Sequence, residues 1–442
     1  MDNALGRRFT ARSLLLFALP NIIMMVFLSM YTIVDGIFIS RFAGTLALSA
    51  VNMSYPLNCL EMAVGIMLAS GGSAVIARKL GEGDADAARR DFSFLVLVSL
   101  TLGVLFMALG NLFLDPIIRL LGASEAQFEL CKIYTRILLF FAPAFFLQTA
   151  FQTLFITAGK PGLGLFATVC GGLANMVLDY VFVGVCGWGI AGAAVATGLG
   201  YLVPAAAGLI YFARKRDSAL YFVRAKPDWR MLGQACFNGS SEMVTNIANA
   251  ITTFLFNALF LRYWGEDGVA AITIVLYFQF VCTAVFFGFS MGVAPVISYK
   301  YGAQDHKQLK HIFRICMGFV LLCSVGSFVL SRVAIGPCLR VFTEAGGNVF
   351  QITMNGFPIY AVCFLFMGLS IFASAMFTAF SDGKVSAIIS FARTLVFLVG
   401  MLLLLPALLG ETGIWLSVPA AEGLGVVVSV WYLIRKRKIY QY

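Results

Sequence analysis

Long apolar segments dominate this chain and restrict what it can fold into. Of its 442 residues, 60% are hydrophobic and only 12% are charged, whereas soluble domains average about 45–50% apolar and about 25% charged residues. A soluble core of this length could not bury so much apolar surface. A lipid bilayer accepts it, because about 20 apolar residues span the hydrocarbon layer. The composition therefore predicts an all-α polytopic membrane protein.

Breaks in hydropathy divide the chain into twelve predicted transmembrane helices. The longest polar connector joins the sixth and seventh spans and is too short for a soluble domain. We expect a first six-helix bundle over residues 1–212, a cytoplasmic linker over 213–230 and a second six-helix bundle over 231–442. The predicted spans are 14–40, 47–77, 92–114, 130–158, 162–186, 190–212, 231–261, 269–299, 311–335, 350–380, 384–409 and 411–434.

An internal repeat relates the two predicted bundles. The segment VIARKLGEGD at 75–84 recurs as VISYKYGAQD at 296–305, a shift of half the chain. Each repeat has an even number of spans, so both enter the membrane from the same side. Such repeats are related by an axis along the membrane normal, with a substrate site at their interface. The repeat therefore predicts two pseudo-symmetric bundles with a cleft between them, which is typical of transporters.

The positive charges follow the predicted loops. The chain has 31 Lys and Arg residues and a net charge of +10. If the N-terminus is cytoplasmic, 23 of these residues lie on the cytoplasmic side, seven lie on the opposite side and Arg393 lies within a span. Cytoplasmic loops of membrane proteins carry this excess. We therefore expect a multi-pass protein of the cell inner (cytoplasmic) membrane with both termini cytoplasmic. The charge is an orientation signal and predicts no nucleic-acid partner.

Motifs for metals, cofactors and catalysis are not apparent in the sequence. The ten cysteines are scattered without CxxC spacing, and His306 with His311 would supply only two ligands in one loop, too few to close a zinc site. No GxxxxGK[ST] phosphate loop is present, and no nucleophile with an adjacent base is visible. We expect no metal site, no cofactor and no enzymatic activity.

Two predicted spans each carry an aspartate inside an apolar segment. Asp35 follows Tyr31 by one helical turn, and Asp179 follows Asn175 by one turn in GGLANMVLDYVFVG. Positions i and i+4 share a helix face, and Thr197 could add a hydroxyl from the next span. If these faces converge, an apolar site would hold two carboxyl groups that disfavour each other's charge. Such a pair would hold a proton near neutral pH and release it when solvent enters from the other side.

Two readings of these side chains stay open at this stage. Intramembrane carboxylates are costly and usually functional, which favours a role in proton coupling. The same polar residues could instead join helices through hydrogen bonds. Pro20 precedes Asp35 by 15 residues in one span, and a proline inside a helix produces a bend. We expect either a static bend or a hinge that responds to the protonation of Asp35.

The other ionisable residues within spans are less informative. Glu242 could attract a cationic substrate or an ion, or could pair with Asn246 and Asn249. For Glu61 and Glu422 we expect a packing role with a partner such as Arg393.

The motifs as a whole resemble those of the multidrug and toxic compound extrusion (MATE) family, with the DinF-like and MepA-like prokaryotic branch the most similar. The resemblance lies in LLLFALPNIIMMVFLSMYTIVDGIFISRFAG, ASGGSAVIARKLGEGD and LFITAGKPG, and it extends over essentially the whole chain. It implies that acids of the first half couple transport to protons. The family positions that it carries over are the proton-coupling Asp35 and Asp179, the network residues Tyr31, Gln152 (in place of a family Asn), Asn175 and Thr197, and the hinge Pro20.

The resemblance also defines the alternatives. A sodium-coupled branch of the family uses acids in spans seven and ten. Glu242 could match the first, but span ten has no acid. We expect an antiporter that exports amphipathic, cationic compounds in exchange for protons by alternating access. Sodium coupling through Glu242, or a lipid flippase on the same scaffold, are the alternatives. The expected partners are small-molecule substrates and membrane lipids, and we expect the protein to function as a monomer.

Overall fold

The computed structural model describes residues 4–121, 125–342 and 346–442. Secondary structure in these ranges is helical, with no strand. Short π-helical segments continue three of the α-helices. The α-helices are α1 (Ala11–Phe38), α2 (Thr45–Gly81), α3 (Ala85–Leu112), α4 (Leu114–Leu120), α5 (Glu125–Phe140), α6 (Ala142–Thr157), α7 (Pro161–Asp179), α8 (Gly189–Arg214), α9 (Trp229–Gly302), α10 (His306–Phe342), α11 (Asn348–Tyr360), α12 (Phe364–Ala379), α13 (Gly383–Phe391), α14 (Leu398–Leu409) and α15 (Glu411–Tyr440).

The described helices are long and apolar enough for twelve membrane crossings, when one bent helix pair and one broken helix are taken into account. Ten helical segments are long and apolar enough to cross, and α5 with α6 forms an eleventh crossing bent by 55°. Helix α9 has 74 residues, about 110 Å of helix, which is far longer than one crossing. It breaks at Gly265, where φ is 65°, so α9 supplies two crossings. The predicted polytopic helical fold is confirmed.

The break at Gly265 differs from the sequence-based expectation. Residues 262–268 were predicted to form a loop between the seventh and eighth spans, but they are helical on both sides of Gly265. A positive φ is accessible to glycine because it has no Cβ. One residue therefore ends the first crossing and begins the next.

Aspartates begin several helices at one face of the protein. The carboxylate of Asp84 accepts a hydrogen bond from the backbone N–H of Ala87 (2.9 Å) at the start of α3. Its repeat equivalent, Asp305, accepts from the N–H of Gln308 (3.2 Å) in the first turn of α10. A side-chain oxygen at this position satisfies an N–H that has no partner within the helix. This capping gives a structural reason for the aspartate shared by the two repeat segments.

The first and last described residues of the chain lie at this same face, which we call the terminal face. The Nζ of Lys300, at the end of α9, donates to the carbonyl oxygen of Gly6 (2.9 Å). The ring of Tyr440 lies against the ring of Tyr301, with centroids 5.6 Å apart. Leu5 is fully buried in the same apolar cluster as Tyr440.

The first half, α1–α8, meets the second half, α9–α15, mainly through α1 and α2 against α9. The connector between them is packed against the first half: the N–H of Val223 donates to the hydroxyl of Ser93 (3.0 Å). The ring of Phe222 lies beside Phe92, with centroids 5.2 Å apart. The proposed boundaries at 1–212, 213–230 and 231–442 stay predictions.

Glycines bring the two halves together near the terminal face. A Cβ added to Gly81 would overlap the backbone oxygen of Tyr299, and one added to Gly302 would overlap that of Arg78. These two contacts are equivalent under the internal repeat. Two more glycines, further into the membrane, press against the backbone of the other half in the same way. We call the set Gly71, Gly81, Gly239 and Gly302 the glycine seam.

Candidate functional site

Two adjacent glycines allow α7 to wedge between α1 and α8. A Cβ on Gly171 would lie 2.7 Å from the backbone oxygen of Gly200 in α8. A Cβ on Gly172 would lie 2.6 Å from the ring of Phe27 in α1. Small residues let membrane helices approach this closely. The GG pair thus positions the C-terminal end of α7 beside α1.

This packing brings Asp35 and Asp179 together. Asp179 ends α7 and is 1% exposed. Its carboxyl group lies within hydrogen-bonding range of the Asp35 carboxyl group on α1. Both oxygens of Asp179 and the Oδ1 of Asp35 are buried, and no other described residue donates a hydrogen bond to them. Because ionised carboxylates are acceptors only, a hydrogen bond between the two requires a shared proton. We call these two residues the acid pair.

Three buried or half-buried tyrosines lie near Asp35 of the acid pair. Tyr31 on α1, Tyr134 on α5 and Tyr201 on α8 all lie within electrostatic range of Asp35. Sequence reasoning found only Tyr31. Tyr201 follows Thr197 by one helical turn, so the same spacing rule could have found it. Tyr134 lies among charged residues in CKIYTR and gives no such signal.

Asn175 and Thr197 join α7 to α8 one turn from the acid pair. The Nδ2 of Asn175 donates to the hydroxyl oxygen of Thr197 (3.2 Å). Asn175 is 1% exposed and Thr197 is 6% exposed. The structure therefore places both residues beside the acid pair, where they fix the α7–α8 contact.

Gln152 lies away from the acid pair. Its Nε2 donates to the hydroxyl of Thr168 (3.4 Å), and that hydroxyl donates in turn to the sulfur of Met24 (3.3 Å). Thr168 precedes Asp179 by 11 residues in α7, about 16 Å along the helix axis. The structure does not bring Gln152 to the acid pair.

Wide helical turns occur beside the buried charges. A π-helical segment, Ile39–Ala43, begins four residues after Asp35. A second, Tyr180–Val185, begins directly after Asp179, and a third, Ala392–Phe397, contains Arg393. Single π-helical turns are rare in proteins, and those that occur are often found at functional sites. Their position supports the acid pair as the candidate site.

Pro20 lies where α1 meets the second half. Helix α1 continues through it without interruption. The next residue, Asn21, donates from Nδ2 to the backbone oxygen of Gly288 in α9 (2.6 Å). Gly292, one turn along α9, lies close to the backbone of Ala18. One helix therefore connects Asp35 with the contact between the halves.

Glu242 occupies a different place from the acid pair. It is 7% exposed and lines a small cavity between the halves with Ser70, Ser73 and Thr153 of the first half. It follows the start of α9 at Trp229 by 13 residues, about 20 Å. Asn246 donates to the backbone oxygen of Glu242, not to its carboxyl group (2.8 Å).

Arg393 and Glu422 form an ion pair inside the second half. The Nη1 of Arg393 lies 3.3 Å from an oxygen of Glu422, and both residues are buried. Arg393 also lies within electrostatic range of Glu242. Glu422 thus has the partner proposed for it. Glu61 does not share this partner and lies instead within electrostatic range of Tyr201.

The chain is similar in sequence to a known protein family and to curated proteins. The family model described as MatE matches residues 20–181 and 243–403, one segment in each half. The chain is similar to "Multidrug export protein MepA" of Staphylococcus aureus, with 23% identity over 434 residues, 96% of this chain and 94% of the relative.

Solved structures match over nearly the full length. A MOP superfamily transporter from Pyrococcus furiosus superposes with a TM-score of 0.92 at 22% identity, covering 100% of this chain and 99% of the other. The Vibrio cholerae MATE transporter VcmN gives a TM-score of 0.90 at 20% identity, with 97% of each chain covered. At these identities the structural matches support the fold.

Proposed function

Since the chain belongs to the multidrug and toxic compound extrusion family, we propose that it is a secondary transporter that exports amphipathic, cationic compounds in exchange for protons. The assignment made from the sequence motifs is confirmed at the level of the family. The name of the staphylococcal relative, a multidrug export protein, supports the export of multiple drugs. Proton coupling, the inner-membrane location with cytoplasmic termini, the monomeric state and the absence of enzymatic activity belong to the proposal.

The convergence of the acid pair is the observation that carries the proposal. Two carboxyl groups on α1 and α7 face one another within hydrogen-bonding range, with buried oxygens. Two like charges at this distance in an apolar environment repel strongly, so the pair holds a proton while it is closed to water. When solvent reaches the pair and the carboxyl groups separate, both ionise and the proton leaves.

Helix α1 provides the link between protonation and movement. It carries Asp35 near one end and, at Pro20 and Asn21, the contact with Gly288 of α9. A proline inside a helix removes one backbone hydrogen bond and eases bending there. A change in charge at Asp35 repositions the outer part of α1, and a bend at Pro20 passes that change to the contact between the halves.

Sodium coupling through Glu242 is the alternative to be tested. The positive charge of Arg393 lies within electrostatic range of Glu242, which disfavours a second cation there. This observation favours the proton.

The test is transport in proteoliposomes that contain the full chain. Ethidium export would be followed under a pure pH gradient and, separately, under a pure sodium gradient. We expect the pH gradient alone to drive export. Asp35→Asn and Asp179→Asn should each abolish it, because an amide cannot exchange the proton. Sodium-driven export that depends on Glu242 would contradict the proposal.

A matched control comes from the connector between the halves. Asp217 is exposed there, and Asp217→Asn makes the same chemical change far from the acid pair. This variant should transport like the parent. If Asp35→Asn and Asp179→Asn also transport like the parent, the acid pair does not couple export to protons.

A further inference from the structure

A cavity opens in the second half at the face opposite the terminal face. It has a volume of about 440 Å³, within the range of about 300–1,000 Å³ that is usual for small-molecule sites. Its walls come from the break in α9, the start of α11 and the start of α15. These helix ends lie at the opposite side of the protein from the glycine seam and from both chain termini.

Two tryptophans form an aromatic corner in this cavity. The rings of Trp264 and Trp415 have centroids 6.2 Å apart at an angle of 53°. Trp415 is held in place because its indole lies directly against Gly356, where an added Cβ would overlap the ring. Phe260 packs edge-on against Trp415, with centroids 5.0 Å apart. Trp415 is 4% exposed and supports the corner from behind, while the half-buried Trp264 offers a rigid surface on which a flat ring can stack.

The charge of the cavity is negative. Asp267 and Glu411 line it, and among the described residues no lysine or arginine does. The Oδ2 of Asp267 accepts one hydrogen bond, from the Nδ2 of Asn348 (3.1 Å). The ion pairs found among the described residues include neither carboxylate. The carboxylates therefore keep their attraction for a positively charged ligand.

These features together select one class of ligand. A cation over the face of an indole is attracted by the ring, and tryptophan is the best of the aromatic residues for this interaction. Two carboxylates add attraction for positive charge, while the ring surfaces add apolar contact. A small metal ion would use neither indole. The combination fits an organic cation with an aromatic ring system.

We infer that this cavity is a second binding site, separate from the acid pair, that takes an amphipathic aromatic cation at the face opposite the termini. The proposed export would release its cargo on the side opposite the termini, which is the side of the membrane where this site lies. The inference rests on the proposed function only for the direction of transport. Binding itself requires neither a proton gradient nor the acid pair.

The test is equilibrium binding of ethidium to the full chain in phosphatidylcholine nanodiscs. The background carries Asp35→Asn, Asp179→Asn and Glu242→Gln, so that binding to other buried acids is suppressed. In this background, Asp267→Asn with Glu411→Gln should weaken ethidium binding roughly tenfold. The neutral analogue hydroethidine should bind weakly and with the same affinity before and after the change. Trp264→Ala should weaken both ligands, because stacking does not require charge.

Glu266→Gln is the matched control. Glu266 neighbours Asp267 and is exposed, but it does not line the cavity. If the double variant binds ethidium as tightly as Glu266→Gln does, the cavity is not a cation site. An equal loss for ethidium and hydroethidine in the double variant would also overturn the inference. Because no gradient is present, failure here leaves proton-coupled export untouched, and failure of export leaves this binding result intact.

Discussion

Individual buried charges in this chain serve two different purposes. Each carboxyl group of the acid pair faces the other carboxyl group, so the pair needs a proton to be stable. The Glu422 carboxylate instead faces Arg393 and is neutralised by it. Sequence alone could not separate these cases, because hydropathy locates a charged residue within a span but does not identify its partner. The partner is set by which helices pack together.

The Arg393–Glu422 pair leads to a prediction about stability. Arg393→Leu leaves the Glu422 carboxylate buried without its partner, and breaking a buried pair from one side costs about 3–5 kcal/mol. We expect a clear fall in the thermal unfolding temperature of the purified protein. The double variant Arg393→Leu with Glu422→Leu should recover most of the lost unfolding temperature, since neither charge then remains. Equal losses in the single and double variants would mean that the unpaired Glu422 carboxylate is not the cause of the lost stability.

The glycine that faces α8 leads to a second prediction at this scale. Gly171→Ala places a Cβ 2.7 Å from the backbone oxygen of Gly200, and backbone cannot move away as a side chain could. We expect α7 to shift, with lower thermal stability and slower ethidium export. Gly162→Ala is the control in the same helix, because its Cβ would meet nothing within 4 Å. Similar behaviour of the two variants would show that close α7–α8 packing is not required.

At the scale of helices, α2 and α9 form the contact that must separate if the terminal face opens. They approach through the glycine seam, where backbone meets backbone. Such contacts bury little side-chain surface and require no side chain to change rotamer when they part. A seam of this kind is suited to repeated opening and closing.

We predict that Gly239→Val favours the state that is open at the terminal face. The new side chain would overlap the backbone of Met67 and hold α2 away from α9. Cys236, one turn earlier in α9 and half-buried, should then react faster with a maleimide in a variant that retains no other cysteine. Gly233→Val, where nothing lies within 4 Å, is the matched control. No difference in labelling between the two variants would contradict this role of the seam.

The helices and the repeat could be predicted from the sequence, but the details of the site could not. Apolar length gave the crossings because the bilayer thickness is fixed. The i and i+4 spacing predicted that Asp35 and Tyr31 share one helix face. Whether this face lies opposite Asp179 depends on how the helices pack, which the spacing does not give. Gln152 could not be placed, because its depth depends on the 55° bend between α5 and α6. Tyr134 comes from that same bent pair and was missed.

Across the whole molecule, the first residues of the chain tie the two halves together at the terminal face. Ala4 lies close to Gly159 of the first half, while Leu5 and Phe9 are buried among second-half residues. The N–H of Phe9 donates to the Oε1 of Gln308 (3.0 Å). This segment must release at least one half before the terminal face can open.

We therefore predict that Lys300→Met accelerates opening of the terminal face. Lys300 is 3% exposed and donates to Gly6, so its loss frees the N-terminal segment from α9. Labelling of Cys236 should become faster, as in Gly239→Val. Lys307→Met is the control, because it removes the same charge in the first turn of α10. It should leave the rate of Cys236 labelling unchanged. Slower labelling in Lys300→Met would contradict the prediction.

The distribution of ion pairs has a consequence for the transport cycle. The ion pairs found among the described residues join partners within one half, as Lys79 does with Asp91 and Lys436 with Asp382. Mobile salt weakens the attraction between exposed charges, and it largely removes the attraction at separations beyond a Debye length of about 8–10 Å. Since the described halves are joined by glycine backbone contacts, apolar packing and hydrogen bonds such as that from Asn21 to Gly288, and by no ion pair, the turnover rate should change little between dilute and concentrated sodium-free electrolyte.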